Sequence, residues 1–166
     1  MPPSSEQERV GQDAAPVAAP GFDLVLAADW IAPSVARDHV RTWLRAHHWS
    51  PSHTDDLVLA VNEAVSNSIE HGYGLLPELD TPSPSSERPT VDVHARLDTD
   101  PDGSRRVEFT VRDRGRWLAP RNGASTRGHG VRIMRACVED VHVDSGPDGT
   151  TVVLHSRPMP PPLQHP

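Results

Sequence analysis

Two hydrophobic periods divide this chain, and they change over between residues 72 and 90. Across 55–72, Leu57, Val61, Ala64, Val65 and Ser68 recur every three or four residues, with Val58 and Ile69 beside them. That spacing predicts a helix with a broad buried stripe. From residue 90 the period drops to two. TVDVHARL (90–97) alternates apolar and polar residues, as a strand with one covered face does. RRVEFTVRD (105–113) follows across the turn DTDPDGS (98–104) as its hairpin partner. DVHVDS (140–145), the turn GPDG (146–149) and TTVVLHS (150–156) form a second hairpin. FDLVLAA (22–28) is predicted as a first strand, 33–48 as an amphipathic helix and VRIMRACVE (131–139) as a short one. Helices come mostly early and strands mostly late. Each has one apolar side, so the two sets must cover one another. The expected class is α+β: a two-layer sandwich whose mixed, mainly antiparallel sheet is covered on one face by helices.

The long helix carries unusual decoration. It is expected to start near Asp55, capped by Ser52 or Thr54, and to stop at Gly72 and Gly74. Glu63, Asn67 and His71 lie four residues apart, so they stack along one edge of the apolar face. An acid, an amide and an imidazole at such a border can line a pocket between helix and sheet. An ordinary solvated edge has the same pattern.

Composition narrows the rest. Residues 1–20 and 158–166 are rich in proline and poor in core material, and read as flexible tails. One folding unit, 21–157, lies between them. The formal charge of −7 speaks against sequence-independent binding to nucleic acid. Every basic side chain other than histidine is arginine. A Walker-A loop and a protein-kinase-type ATP site both need a lysine, so both are excluded. A single cysteine, Cys137, sits in an apolar run and reads as core. With no membrane-length apolar run and no signal-peptide core, the expected location is cytoplasmic. His39, His47, His48 and His53 lack zinc-site spacing.

Three later segments add polar features that are weak one by one. Asp113 ends a strand with Gly115 two residues on. An aspartate there can accept from an exocyclic amine, and the glycine lets a flat ring approach, yet Asp-x-Gly is also a common turn. Gly128 and Gly130 bracket His129 just ahead of the short helix, as an anion site or a hinge would. Thr150 enters the last strand after Gly149, either to meet a base or as a plain β-former.

In combination these features are specific. The series ExxxN-xxx-HG, DxG after a strand, GxG before a helix and GT entering the last strand resembles the GHKL (Bergerat-fold) ATPases over roughly residues 22–156. EAVSNSIEHGY (63–73) is similar to the form found in the anti-sigma factor/serine-protein kinase branch. The resemblance implies ATP with Mg²⁺ as the ligands. It implies Glu63 as the acid that orients or deprotonates an attacking hydroxyl, and Asn67 as the Mg²⁺ ligand. Asp113 would bind adenine with Gly115 giving the ring room. Gly128 and Gly130 would lie beside the triphosphate, and Thr150 near the base. It also implies phosphorylation of an anti-anti-sigma (STAS-domain) protein, sequestration of an RNA polymerase sigma factor, and a homodimer, for which the first strand and helix are the expected surface. One departure stands out: where that family has DxGxG, this chain has DRGRW, with Trp117 in place of the second glycine. The alternative is a binding module that sequesters its partner without phosphoryl transfer.

Overall fold

The computed structural model describes residues 19–72, 89–115 and 127–162, with backbone alone at 71–72 and 127–128. Strands β1 (Gly21–Ala27), β2 (Thr90–Thr99), β3 (Arg105–Asp113), β4 (Asp140–Gly146) and β5 (Gly149–His155) form one sheet in the order β1-β2-β3-β5-β4. Each neighbouring pair is antiparallel, so this sheet is antiparallel throughout rather than mixed. Helices α1 (Ala32–Ala46), α2 (Pro51–Asn67) and α3 (Arg127–Cys137) complete the α+β sandwich.

The period-two pattern sorts residues between the two sheet faces. In register, Phe22, Ala95, Phe109, Leu154 and Val141 make one row, and Leu24, Val93, Val111, Val152 and Val143 the next. Most of these are buried in one hydrophobic core. The opposite face is polar, with ion pairs such as Asp23–His94 and Arg96–Glu108. From the helical layer come Ala36, Val40 and Leu44 of α1, Leu57, Val61, Ala64 and Val65 of α2, and Met134 of α3. Phe109 is fully buried, with the Phe22 and Trp43 rings 6.4 and 6.3 Å away. The Trp43 contact is edge-on, and such a pair adds about 0.5–1.5 kcal/mol beyond the area it covers. α2 packs against both α1 and α3, which makes it the central helix.

Three details differ from the sequence expectation. α2 begins at Pro51, and Ser50, not Ser52 or Thr54, is its cap, with its side chain accepting from the His53 amide. Pro51 explains this: it lacks an N–H, holds a helical φ and pushes its predecessor into extended backbone. α3 begins at Arg127, not 131, so Gly128 and Gly130 sit inside its first turn. Glycine costs a helix about 1 kcal/mol against alanine, and contact with α2 outweighs that here. Finally, Met159 is buried and exchanges two backbone hydrogen bonds with Arg105. Composition alone gave the 158–166 stretch no such anchor.

Candidate functional site

α2 ends at Asn67, and the backbone continues as a π-helical turn, Ser68–Gly72. Such turns concentrate at functional positions. The α period therefore holds for Glu63 and Asn67, both half-buried. The side chain of His71, the third member of the expected stripe, lies outside the described residues.

Directly across from this turn, β3 ends at Asp113 and β5 enters beside it, with Asp113 opposite Thr150. Asp113 is only 1% exposed. Its Oδ1 accepts from the Gly115 amide at 3.1 Å and the Thr150 amide at 3.2 Å. Its Oδ2 is buried and has no partner among the described residues. Burial pushes the Asp113 pKa up, while hydrogen bonds from the Ser68 hydroxyl and then from the Gly115 and Thr150 amides pull it down. An orphaned acceptor in such a place is costly unless something donates to it.

Ser68 joins the two halves of the site. It is 4% exposed, its hydroxyl helps pull the Asp113 pKa down, and it directly follows Asn67. On the other side of Asn67 stands α3. A Cβ built on Gly130 would lie 2.8 Å from Asn67 Nδ2 and 3.1 Å from Oδ1. Gly130 is thus a glycine because the Asn67 carboxamide occupies the space of a side chain. One run of contacts links Gly130, Asn67, Ser68, Asp113, Gly115 and Thr150. Four segments remote in sequence meet at one end of the sheet.

Glu63 lies one helical turn before Asn67, and its charge reaches Cys137 on α3. Burial, then the Asp56 carboxylate, then Glu63 hold the Cys137 thiol above its ordinary pKa, against the pull of Arg157. A raised pKa is the reverse of what an activated thiol needs, in keeping with the core role expected of Cys137. Gly128 lies in the first turn of α3, where only its backbone is described. Trp117 and Arg121 fall outside the described residues.

Two residues of the site had no role of their own in the sequence reading: Ser68 stood only in the apolar stripe, and Gly149 only as the first member of the GT pair. Ser68 carried a signal, being a hydroxyl within an otherwise apolar stripe. Gly149 carried less. Its φ is +125°, and a Cβ there would lie 2.0 Å from the Asp113 carbonyl oxygen. It lets β5 start against the backbone that presents the carboxylate.

The site can offer a carboxylate oxygen to one buried N–H donor, an amide oxygen to a hard cation and a glycine-containing helix start to an anion. Among the described residues no group of histidine, cysteine, aspartate and glutamate forms a ready-made metal cluster. No helix there is long and apolar enough to cross a membrane.

Comparison with known proteins fits this geometry. Residues 26–155 match the family model described as the histidine kinase-like ATPase domain. The solved structure of the RsbU and RsbW domains of Rv1364c from Mycobacterium tuberculosis superposes with a TM-score of 0.59 at 25% identity. That match covers 86% of this chain and 34% of the solved one. A stretch of 71 residues, 42% of this chain, is 41% identical to the ribosomal protein uS12 methylthiotransferase RimO of Polynucleobacter asymbioticus. That stretch spans 14% of the methylthiotransferase. The family match takes in α1, α2, α3 and all but the first residues of the sheet, and with them each residue of the site: the chain belongs to the histidine kinase-like ATPase domain family.

Proposed function

We propose that this chain binds ATP with Mg²⁺ and transfers the γ-phosphoryl group to a serine or threonine of an anti-anti-sigma (STAS-domain) protein. In the same proposal it sequesters an RNA polymerase sigma factor and does so as a homodimer. The observation that carries the nucleotide part is Asp113 Oδ2, a buried acceptor with no donor among the described residues, beside the turn that directly follows Asn67. The 6-amino group of adenine is the donor that such an atom lacks. The motif in 63–73 and the likeness to a chain with an RsbW domain support the choice of acceptor and partners. For the dimer, β1 is an edge strand with Val25 66% exposed, and Trp30 just beyond it is 83% exposed.

The residues suit these ligands. Asn67 offers an amide oxygen, the kind of ligand Mg²⁺ takes alongside phosphates and water. Bound there, Mg²⁺ supplies the charge neutralisation that phosphoryl transfer requires. In a chain without lysine, the α3 amides and an arginine such as Arg127, Arg121 or Arg132 add the remaining positive field. Gly115 and Thr150 hold Asp113 Oδ1 so that Oδ2 faces the base. Glu63 accepts the proton of the attacking hydroxyl as its oxygen bonds to Pγ. The bond from Pγ to the β,γ-bridging oxygen breaks, and its electron pair leaves with ADP.

Glu63→Ala tests the chemistry. A positioned base contributes about 10²–10⁴-fold to a rate. The rate of ³²P transfer from γ-labelled ATP to a purified STAS-domain protein is expected to fall at least about 100-fold. ATP affinity by calorimetry is expected to stay close to wild type. Transfer at the wild-type rate removes Glu63 from the mechanism. Tight MgATP binding by wild type with no transfer favours the binding-module reading, to which the Trp117 departure points.

A further inference from the structure

Beyond residue 155, where the family match ends, the chain stays fastened to the sheet. Ser156 is only 2% exposed. Its amide donates to the Val107 carbonyl at 2.9 Å, and its Oγ accepts from the Val107 amide at 2.8 Å. Met159 then exchanges backbone hydrogen bonds with Arg105. Arg157 and Pro158 together therefore stand opposite Arg106 alone. Two residues against one make a β-bulge, which re-aims a side chain.

Arg157 is the side chain it re-aims. In an unbroken strand Arg157 would share the open face of the sheet with His155, which meets Glu108 there. Its guanidinium reaches the helical layer instead. Nη2 donates to the Ala136 carbonyl at 2.8 Å, and Nη1 lies 3.7 Å from Asp56 Oδ2. Ala136 is in the last turn of α3, where carbonyls lack a partner within the helix. A cation there also complements the negative end of the helix dipole. Asp56 lies in the first half of α2. One side chain thus fastens the end of α3 to the early part of α2.

The candidate site lies at the other end of that helix pair. Asp56, Ala60, Glu63 and Asn67 follow helical spacing and share one stripe of α2. α3 packs against α2 along it. Gly130 lies on Asn67, and the charges of Asp56, Arg157 and Glu63 all reach Cys137. Of those three, Arg157 alone is positive. α3 has 11 residues, about three turns, and a rod that short moves as one piece. A tie at Ala136 therefore limits how Gly130 shifts over Asn67.

We propose that Arg157 is a positioning residue for Asn67. By holding the end of α3 on α2, it keeps Gly130 against the carboxamide and the amide oxygen in place. The consequence for Mg²⁺ rests on the nucleotide reading above; the effect on Asn67 itself does not.

The test uses the full chain, ¹⁵N-labelled and without ligand, followed at the Asn67 Nδ2–H₂ and Gly130 amide resonances. Arg157→Ala is expected to shift both. Arg157→Lys, which keeps a charge and a donor, is expected to return both towards wild type. Arg41→Ala is the control. The Arg41–Asp55 pair is also 3.7 Å long and also holds the early part of α2, but it ties that helix to α1. Its loss is expected to leave both resonances in place, which a general loosening of α2 would not. Should Arg157→Ala not fold, Asp56→Asn takes its place with the same expectation. By calorimetry, Arg157→Ala is expected to bind MgATP about two- to fivefold more weakly, the scale of a cation at an exposed helix end. Arg41→Ala is expected to bind as wild type does. Unmoved resonances in Arg157→Ala, equal movement in Arg41→Ala, or no rescue by lysine overturns the proposal. Moved resonances with unchanged MgATP affinity overturn its bearing on the cation. Moved resonances in a chain whose wild type binds no MgATP uphold the tie and overturn the nucleotide reading instead.

Discussion

Asp113→Asn is expected to weaken ATP binding by about 10- to 150-fold while leaving the ligand-free fold at least as stable at neutral pH. The first half follows from Oδ2, the buried oxygen with no partner among the described residues. A hydrogen bond to a charged group is worth about 1.5–3 kcal/mol, which is about that fold-change in affinity. An asparagine keeps one oxygen for the Gly115 and Thr150 amides but turns an NH₂ towards the base. Two donors then face each other. The 6-oxo group of guanine accepts from that NH₂, so the variant is also expected to shift its preference from ATP towards GTP. The second half follows from burial, which raises the Asp113 pKa above its ordinary value. In the unfolded chain the carboxyl ionises near pH 4; in the fold it ionises higher. Between those values the folded state holds a proton that the unfolded state has released. Stability therefore falls as pH rises through that window and stays at the lower level above it. Asparagine has no proton to lose and removes the fall. Calorimetry with MgATP and MgGTP, and thermal unfolding from pH 3 to 8, check both halves. ATP affinity within twofold of wild type would sink the adenine assignment, and an unaltered pH profile would sink the account of the buried charge.

How much of this was readable beforehand depended on the kind of signal. Strands with one covered face declare themselves by alternation, so β2, β3 and β5 fall within a residue or two of expectation. That the sheet is antiparallel rather than mixed is a matter of pairing between distant segments, which no local pattern encodes. α2 was clear from its stripe, but its start was misplaced because a cap is decided by one dihedral, and Pro51 sets it. α3 was cut short because glycine signals a break. Gly130 sits in a helix here for a reason external to that helix, the Asn67 carboxamide lying against it. At the site, Glu63, Asn67, Asp113 and Thr150 were legible as side chains with a chemistry. Ser68 and Gly149 act through what they touch, Asp113 in both cases, and contact across the fold is invisible in a linear sequence. Buried Arg105 at the start of β3 was hidden for the same reason: its side-chain acceptors are backbone carbonyls from the α1–α2 turn and the C-terminal stretch.

Gly149→Ala is expected to unfold the domain or lower its Tm by roughly 10 °C or more, and Gly130→Ala to leave Tm nearly unchanged while removing Mg²⁺-dependent ATP binding. Both glycines have a neighbour where a methyl group would go, and the nature of that neighbour decides the outcome. At Gly149 the new Cβ would lie 2.0 Å from the Asp113 oxygen and 2.8 Å from the Arg114 Cα, both of them backbone. Its φ of +125° is closed to an L side chain as well. Neither problem is relieved without parting β3 from β5 at Asp113 and Thr150. Strain of that kind falls in the rare class above about 4 kcal/mol, a large share of the 5–15 kcal/mol that holds an ordinary domain together. At about 2–4 °C per kcal/mol for a domain near this size, the Tm shift follows. At Gly130 the methyl meets the end of the Asn67 side chain, 2.8 Å from Nδ2. A side chain can rotate away, and alanine is favoured over glycine inside a helix by about 1 kcal/mol, so the fold is spared. The carboxamide is not: rotated, it no longer presents its oxygen to a cation. Scanning calorimetry beside ATP titrations with and without Mg²⁺ separates the two. A Gly149→Ala protein that melts with wild type would mean β5 does not enter against Asp113 as described. A Gly130→Ala protein that keeps its Mg²⁺ dependence would mean that α3 does not hold Asn67 in place. Strand entry is thus tied to stability and the α2–α3 contact to the proposed cation site, because one contact is with backbone and the other with a movable amide.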